Sequence, residues 1–314
     1  TFQSNHYKVG AIKSNEKASH VLIDKCQFLN CAVKSDNENG GAINFINCAV
    51  QCQRSDFIGC KSTTGGKGGG IYLTVNRSVN EKTLIEDCTF KGCTAYYGGA
   101  VFAYSKDKTK EILIQYCTFR ENQVINNHPA GSAIYLMSYN SQIVGCRFRK
   151  NVGSCTVKIV NEFNNEINNN KLVALNDKNI KINVKDCSFE IDASSLSSIS
   201  LTHEDSSSSS LIPITIDNCI FTGNLAKNAH HIDAMSIKDK NELKLLHINE
   251  CKFASDRKRA LNLNNVNVNN LQFNFVEQSN NSGKNKNCVH LPFVVISAVF
   301  VISAIVALIV IVQK

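Results

Sequence analysis

Three carboxylates, Asp186, Asp217 and Glu250, stand 31 and 33 residues apart, and Asp24 and Asp87 hold comparable places earlier in the chain. Acidic side chains gathered from distant sequence can exchange protons with a substrate, activate water or hold calcium, the equipment of a polysaccharide lyase or hydrolase. The competing reading is that these are turn residues facing water. That reading is adopted, with Asp186, Asp217 and Glu250 kept as binding candidates and no catalytic residue assigned. His203-Glu204-Asp205 adjoins a serine run and His230-His231 falls in an expected loop, so both read as water-facing sequence. The stretch TTGGKGGG lacks the Lys-Ser/Thr ending of a phosphate cradle. Fourteen cysteines include no Cys-x-x-Cys pair, which disfavours zinc and thioredoxin-type chemistry. No cofactor and no metal are expected. A net charge of +8 is modest for 314 residues, and apart from Arg257-Lys258-Arg259 the basic residues are scattered among acids, which disfavours a nucleic-acid partner.

The elements that position these residues come from a repeat. Aligned on Cys-x-Phe, units begin at Cys26, Ser55, Cys88, Cys117, Cys146, Cys187, Cys219 and Cys251, with spacings of 29, 33, 29, 29, 41, 32 and 32. The third column is always Phe: Phe28, Phe57, Phe90, Phe119, Phe148, Phe189, Phe221 and Phe253. An aliphatic precedes most of the Cys positions by three, as Ile23, Ile85, Ile114, Ile143, Val184, Ile216 and Ile248 do. Side chains alternate faces along a strand, so Cys and Phe share one face. The aliphatic falls on that face only if the intervening polar pair makes a corner. After the Phe comes a turn marked by Cys31, Cys60, Cys93, Asn122, Asn151 or Asn224. A Gly pair then opens a third strand at 40–43, 68–71, 98–101 and 131–134.

Three short strands and three turns make one coil, and like positions stack from coil to coil. The expected fold is all-β, a right-handed parallel β-helix of about eight coils rising about 4.8 Å each. A propeller blade needs about 40–45 residues, too many for this period. Residues 1–20 read as an N-terminal coil or cap, open to truncation, and 21–275 as the repeat domain. A lateral insertion is expected at 161–183 and a flexible serine-rich loop at 194–210, with 261–275 as the last coil. Residues 276–290 read as a polar linker, 291–312 as a transmembrane helix and 313–314 as a short tail.

Gly40-Gly41-Ala42-Ile43 matches the GGAI motif of the polymorphic outer membrane protein repeats. Phe119-Arg120-Glu121-Asn122, Phe148-Arg149-Lys150-Asn151 and Phe221-Thr222-Gly223-Asn224 match its FxxN partner. Over residues 20–275 the chain resembles that family. The resemblance implies a right-handed β-helix displayed at a cell surface, with adhesion the usual role. Bacterial members end in a translocating barrel, whereas a single apolar run here resembles the surface proteins of parasitic protists, trichomonads above all. Cys31, Cys60 and Cys93 replace Asn at three FxxN positions. Stacked one coil apart, their Cα atoms would fall within disulfide range, although parallel side-chain vectors work against the dihedral. Cys48 and Cys52 are a second possible pair. The seven inward Cys residues beside the Phe column read as small buried hydrophobes.

Leu291–Val312 holds 22 residues with no charge, enough helix to cross a hydrocarbon core of about 30 Å. Membrane lipid is therefore an expected partner through Leu291–Val312. The expected location is the plasma membrane, single-pass, with the repeats outside; a GPI anchor and a cytosol-facing tail anchor are the alternatives. Asn76 and Asn280 open glycosylation sequons. The function expected is a membrane-anchored adhesin or host-surface interaction protein, with a host-cell protein or glycan as partner. A carbohydrate-active enzyme and a passive coat are the alternatives. Tyr96, Tyr97, Tyr104 and Tyr116 are a candidate sugar- or protein-facing patch.

Overall fold

A computed structural model describes residues 1–275 apart from 4–9, 15–19, 34–37, 64, 76–81, 106, 108, 126–129, 164–180, 192–194, 206–212, 224–227, 237–245, 255–256 and 265–267. The chain divides after Gln278, and the unit Thr1–Gln278 is an all-β parallel solenoid. Seventeen strands form one sheet folded over a corner, and nine form another. Every strand pairing is parallel and joins residues roughly one repeat apart, as in Thr83–Glu86 beside Ile112–Gln115 and Thr89–Lys91 beside Thr118–Arg120.

The corner arises from backbone chirality. In the strand Thr83–Glu86, Thr83 and Ile85 are buried while Leu84 and Glu86 are partly exposed. Asp87 then adopts a left-handed conformation, φ 51°, and Cys88 and Phe90 return to the interior. One left-handed residue resets the two-residue alternation, so Ile, Cys and Phe spaced three and two apart all point inward. Lys25, Arg54, Tyr116, Gly145, Asp186, Asn218 and Glu250 take the same conformation at the same place. A second left-handed corner follows the Phe at Asn30, Gly59, Gly92, Glu121 and Lys150, and a third sits at Gly40, Gly68, Gly98 and Gly131. At the third, a Cβ on Gly98 would lie 2.2 Å from the Val101 carbonyl oxygen, so glycine is required there by both space and backbone angle.

The Phe column is a single stack. Ring centroids of Phe28, Phe57, Phe90, Phe119, Phe148, Phe189, Phe221 and Phe253 follow one another at 4.6–5.0 Å with interplanar angles of 3–9°. Phe2 extends it, 5.0 Å from Phe28, although no Cys-x-Phe frame marks it in the sequence. The strand spacing of about 4.8 Å imposes that separation, so the rings stack with an offset. Small residues leave room for them. A Cβ on Gly70 would meet the Phe90 ring at 3.1 Å, and the same column carries Ala42, Ala100, Ala133 and Ala260. This is why the GGAI motif has a small third residue.

The third strand of the coil continues where the Gly pair stops. Cys155–Phe163, Ser197–Asp205 and His230–Ser236 stay in register with Ile134–Met137. The serine-rich segment 194–210 is therefore not simply a loop, because Ser197–Asp205 is a nine-residue strand with Ile199 and Leu201 in the core. Of the expected insertion 161–183, residues 164–180 lie outside the described residues. The run 261–275 folds as Leu261–Asn264 and Val268–Phe275, one strand in each sheet.

Candidate functional site

The corner before each Cys presents two side-chain columns to solvent, and all the candidate carboxylates lie in them. The outer ends of the strands supply Asp24, Gln53, Glu86, Gln115, Lys185 and Asp217, while the left-handed residues supply Arg54, Asp87, Tyr116, Asp186, Asn218 and Glu250. The corner acids that hold comparable places in the sequence thus fall into two columns, Asp24 and Asp217 in one and Asp87, Asp186 and Glu250 in the other. Asp186 accepts a hydrogen bond from the Asn218 amide at 2.7 Å, whereas Asp217 pairs with Lys185 Nζ at 3.5 Å. Glu250 stands in the Asp186 column with Asn218 between them. The three carboxylates do not converge on one point. Among the described residues no group of three His, Cys, Asp or Glu side chains has an arrangement that could hold a metal ion.

The same corner is more elaborate lower in the solenoid. Arg54 donates from Nε to Asp24 Oδ1 at 2.8 Å. Glu86 lies between two glutamine amides, accepting from Gln53 Nε2 at 2.9 Å on one side and from Gln115 on the other. Gln53, Arg54, Glu86, Asp87 and Tyr116 line an open groove of about 380 Å³. Tyr116 is 59% exposed, and its ring lies over Gly145, where a Cβ would come within 2.6 Å of the ring.

The tyrosines do not form one patch. Tyr96 meets Tyr97 edge-on at 5.1 Å, and Tyr97 meets Tyr135 at 5.5 Å. Tyr135 stacks on Phe102 and Phe102 on Tyr72, along the outer face of the nine-stranded sheet. Lys67 Nζ sits 5.0 Å from the Phe102 centroid. Burial, and then neighbouring Tyr104, raise the Tyr72 pKa. Tyr116 belongs to the corner groove instead.

The thirteen cysteines from Cys26 to Cys251 carry free thiols, so the disulfide column at Cys31, Cys60 and Cys93 is not formed. The sulfurs instead take up the role of the FxxN asparagine. Cys60 Sγ donates to Phe28 O and Cys93 Sγ to Phe57 O, each at 3.4 Å, while Asn122 Nδ2 donates to Phe90 O and Asn151 Nδ2 to Phe119 O, each at 3.0 Å. Either side chain ties its turn to the Phe carbonyl of the coil below. Asn adds one bond that Cys cannot match, Oδ1 of Asn122 accepting the Cys93 N–H at 2.9 Å. Cys48 and Cys52 are also unpaired, and Cys52 Sγ lies 3.9 Å from Cys88 Sγ rather than bridging to Cys48. In the inward column Cys117 Sγ donates to Ile85 O and Cys187 Sγ to Ile143 O; burial, then the neighbouring thiols, push both pKa values up. Cys26 is the one partly exposed member.

His230-His231 is part of a strand, not a loop, and His231 is fully buried. It occupies the small-residue column, against Phe221 and Phe253 at 5.5 and 5.9 Å. Its Nδ1 lies 3.1 Å from Ser198 Oγ, and Nε2 has no hydrogen-bond partner among the described residues. Burial, then the charge of Arg259, lower its pKa to about 4. His203-Glu204-Asp205 ends the strand Ser197–Asp205.

Asn76, Asn280 and the expected membrane span Leu291–Val312 lie outside the described residues. Among the described residues no helix is long and apolar enough to cross a membrane. No family model matches the chain, and no curated protein or solved structure matches it.

Proposed function

We propose that the chain is a surface-displayed interaction protein. In this reading it is a right-handed β-helix of about eight coils, related to the polymorphic outer membrane protein repeats and held to the plasma membrane by Leu291–Val312. Its wall binds a host-cell protein or glycan and performs no catalysis. One observation carries the reading. The carboxylates of the wall are dispersed, Asp186 onto an amide and Asp217 onto an ammonium, while two largely polar columns, interrupted at Val144 and Gly145, run along the corner outside a continuous aromatic stack. That arrangement supports repetitive contact with an extended partner. The uncharged run of 22 residues supports the anchor.

The test is protease treatment of intact cells expressing the full chain, with glycan analysis at Asn76. Digestion of the repeats from outside is expected, together with binding of the labelled repeat region to host cells. A protected, unmodified chain would end the surface reading. Digestion without any cell binding would leave a coat protein in place of an adhesin.

A further inference from the structure

We infer that the groove lined by Gln53, Arg54, Glu86, Asp87 and Tyr116 is a binding site for a neutral saccharide, with Tyr116 as the platform on which a sugar ring stacks. The inference rests on the binding-wall reading above and names its partner class. Tyr116 carries the first observation. It holds φ 55° at a corner that glycine or asparagine would occupy with less strain, and Gly145 does occupy it one coil later. The left-handed corner is common to the coils, shared with Lys25, Arg54, Asp87, Asp186, Asn218 and Glu250, so what sets Tyr116 apart is an aromatic side chain held there in the open. Tyr116 is also 59% exposed instead of tucked into the core.

The second observation is how the ring is held. It lies over Gly145, whose absent Cβ would approach Cδ1 at 2.6 Å and Cε1 at 2.8 Å, so the glycine keeps the ring down along the wall. The third is the polar equipment beside it. Asp24 fixes Arg54 at 2.7 Å, and the amides of Gln53 and Gln115 fix Glu86. Asp87, in the column between Arg54 and Tyr116, is exposed and its carboxylate has no hydrogen-bond or ionic partner among the described residues. A flat aromatic face next to a free acceptor and anchored amides fits the apolar C–H face and hydroxyl edge of a pyranose.

Charge selects among sugars. Asp24, Glu86 and Asp87 set three carboxylates against the Arg54 guanidinium and Lys25 beside it, so sulfated, uronic and sialylated chains are repelled, as is nucleic acid. Arg54, Asp87 and Tyr116 come from successive coils about 4.8 Å apart, a rise close to one sugar unit of an extended chain. The occupant is therefore a short run of neutral hexoses lying along the solenoid.

The experiment uses the full chain in detergent against an array of neutral gluco-, manno- and galacto-hexasaccharides, with heparin fragments and sialylated glycans alongside. Binding to at least one neutral hexasaccharide is expected, competed by the same sugar free in solution. Tyr116→Asn removes the platform while suiting the left-handed corner, so binding should weaken about tenfold or more while the melting temperature holds or rises. Tyr116→Phe should retain binding. The site is refuted if no neutral sugar binds, if only anionic glycans bind, or if Tyr116→Asn binds as tightly as the parent. Cell binding is scored separately. Full cell binding by Tyr116→Asn would refute this groove and leave the adhesin reading standing, whereas sugar binding without cell binding would do the reverse.

Discussion

At the scale of single residues, the Cys and Asn of the FxxN column are tested by exchange. Cys93→Asn keeps the bond to Phe57 O and adds an acceptor facing the turn below, so stability should stay within about 1 kcal/mol of the parent in a urea melt. Asn122→Ala removes bonds to Phe90 O, the Cys93 N–H and Asn151, all buried, and should cost about 2–4 kcal/mol. Equal losses in the two variants would contradict the shared role. His231 gives a pH signature. Its folded pKa of about 4 lies below the ordinary imidazole value, so below pH 6.5 the unfolded chain takes up a proton that the folded chain does not. The stability held by neutral His231 is complete above pH 6.5 and is lost as pH falls towards 4, by about 3 kcal/mol in all. Substitution His231→Ala, which places the residue type of Ala133 and Ala260 in that column, should flatten the difference curve across this window. A curve that keeps its slope would show that another group titrates there. None of this could be read from His230-His231, because the two adjacent rings between Ala229 and Ile232 carry no sign of which one is swallowed.

At the scale of the element, the corners explain both what the sequence discloses and what it conceals. The Phe column and the bend before Cys are legible because a left-handed residue reproduces the same three-and-two spacing in every unit. The Gly-pair strand is legible only as far as Gly131. From Ser154 onward the first Gly position no longer takes a left-handed angle, so the motif disappears while the strands Cys155–Phe163, Ser197–Asp205 and His230–Ser236 persist. The serines of Ser197–Ser200 look like loop composition, yet they lie in a strand, where Ser198 takes the position beside the rings that Ala133 and Ala260 hold elsewhere. Period alone also could not separate Asp217 from Asp186, since neighbouring corner residues repeat equally well and differ only in backbone angle. These angles make an asymmetric prediction. Gly98→Ala forces a Cβ against the Val101 carbonyl at positive φ and should cost about 2 kcal/mol or more. Glu250→Gly relieves the same angle at an exposed corner and should range from neutral to about 1 kcal/mol stabilising. Thermal melts of the two side by side check the sign, and a destabilised Glu250→Gly would mean the glutamate side chain holds its corner.

At the scale of the whole unit Thr1–Gln278, stability is a sum of coils and of the contacts between neighbours, because pairing runs only from one coil to the next. Removing one full coil should then leave a shorter but intact solenoid. Excision of residues 88–116 takes out 29 residues and joins Asp87 to Cys117. In the product Phe119 follows Phe57, Asn122 follows Cys60, Gly131 follows Gly68 and Ile134 follows Ile71, so each column keeps a residue of the type it had. The left-handed Asp87 still precedes an inward Cys. A β-rich circular dichroism spectrum and one cooperative transition at a lower midpoint are expected. Excision of residues 88–102, about half a coil, joins Asp87 to Ala103 and sets every later column out of phase, turning Phe119 and its successors away from the stack. That chain should not fold. Two folded products would mean that stacking of the Phe column does not dictate register, and two unfolded ones would mean that the unit depends on contacts between distant coils.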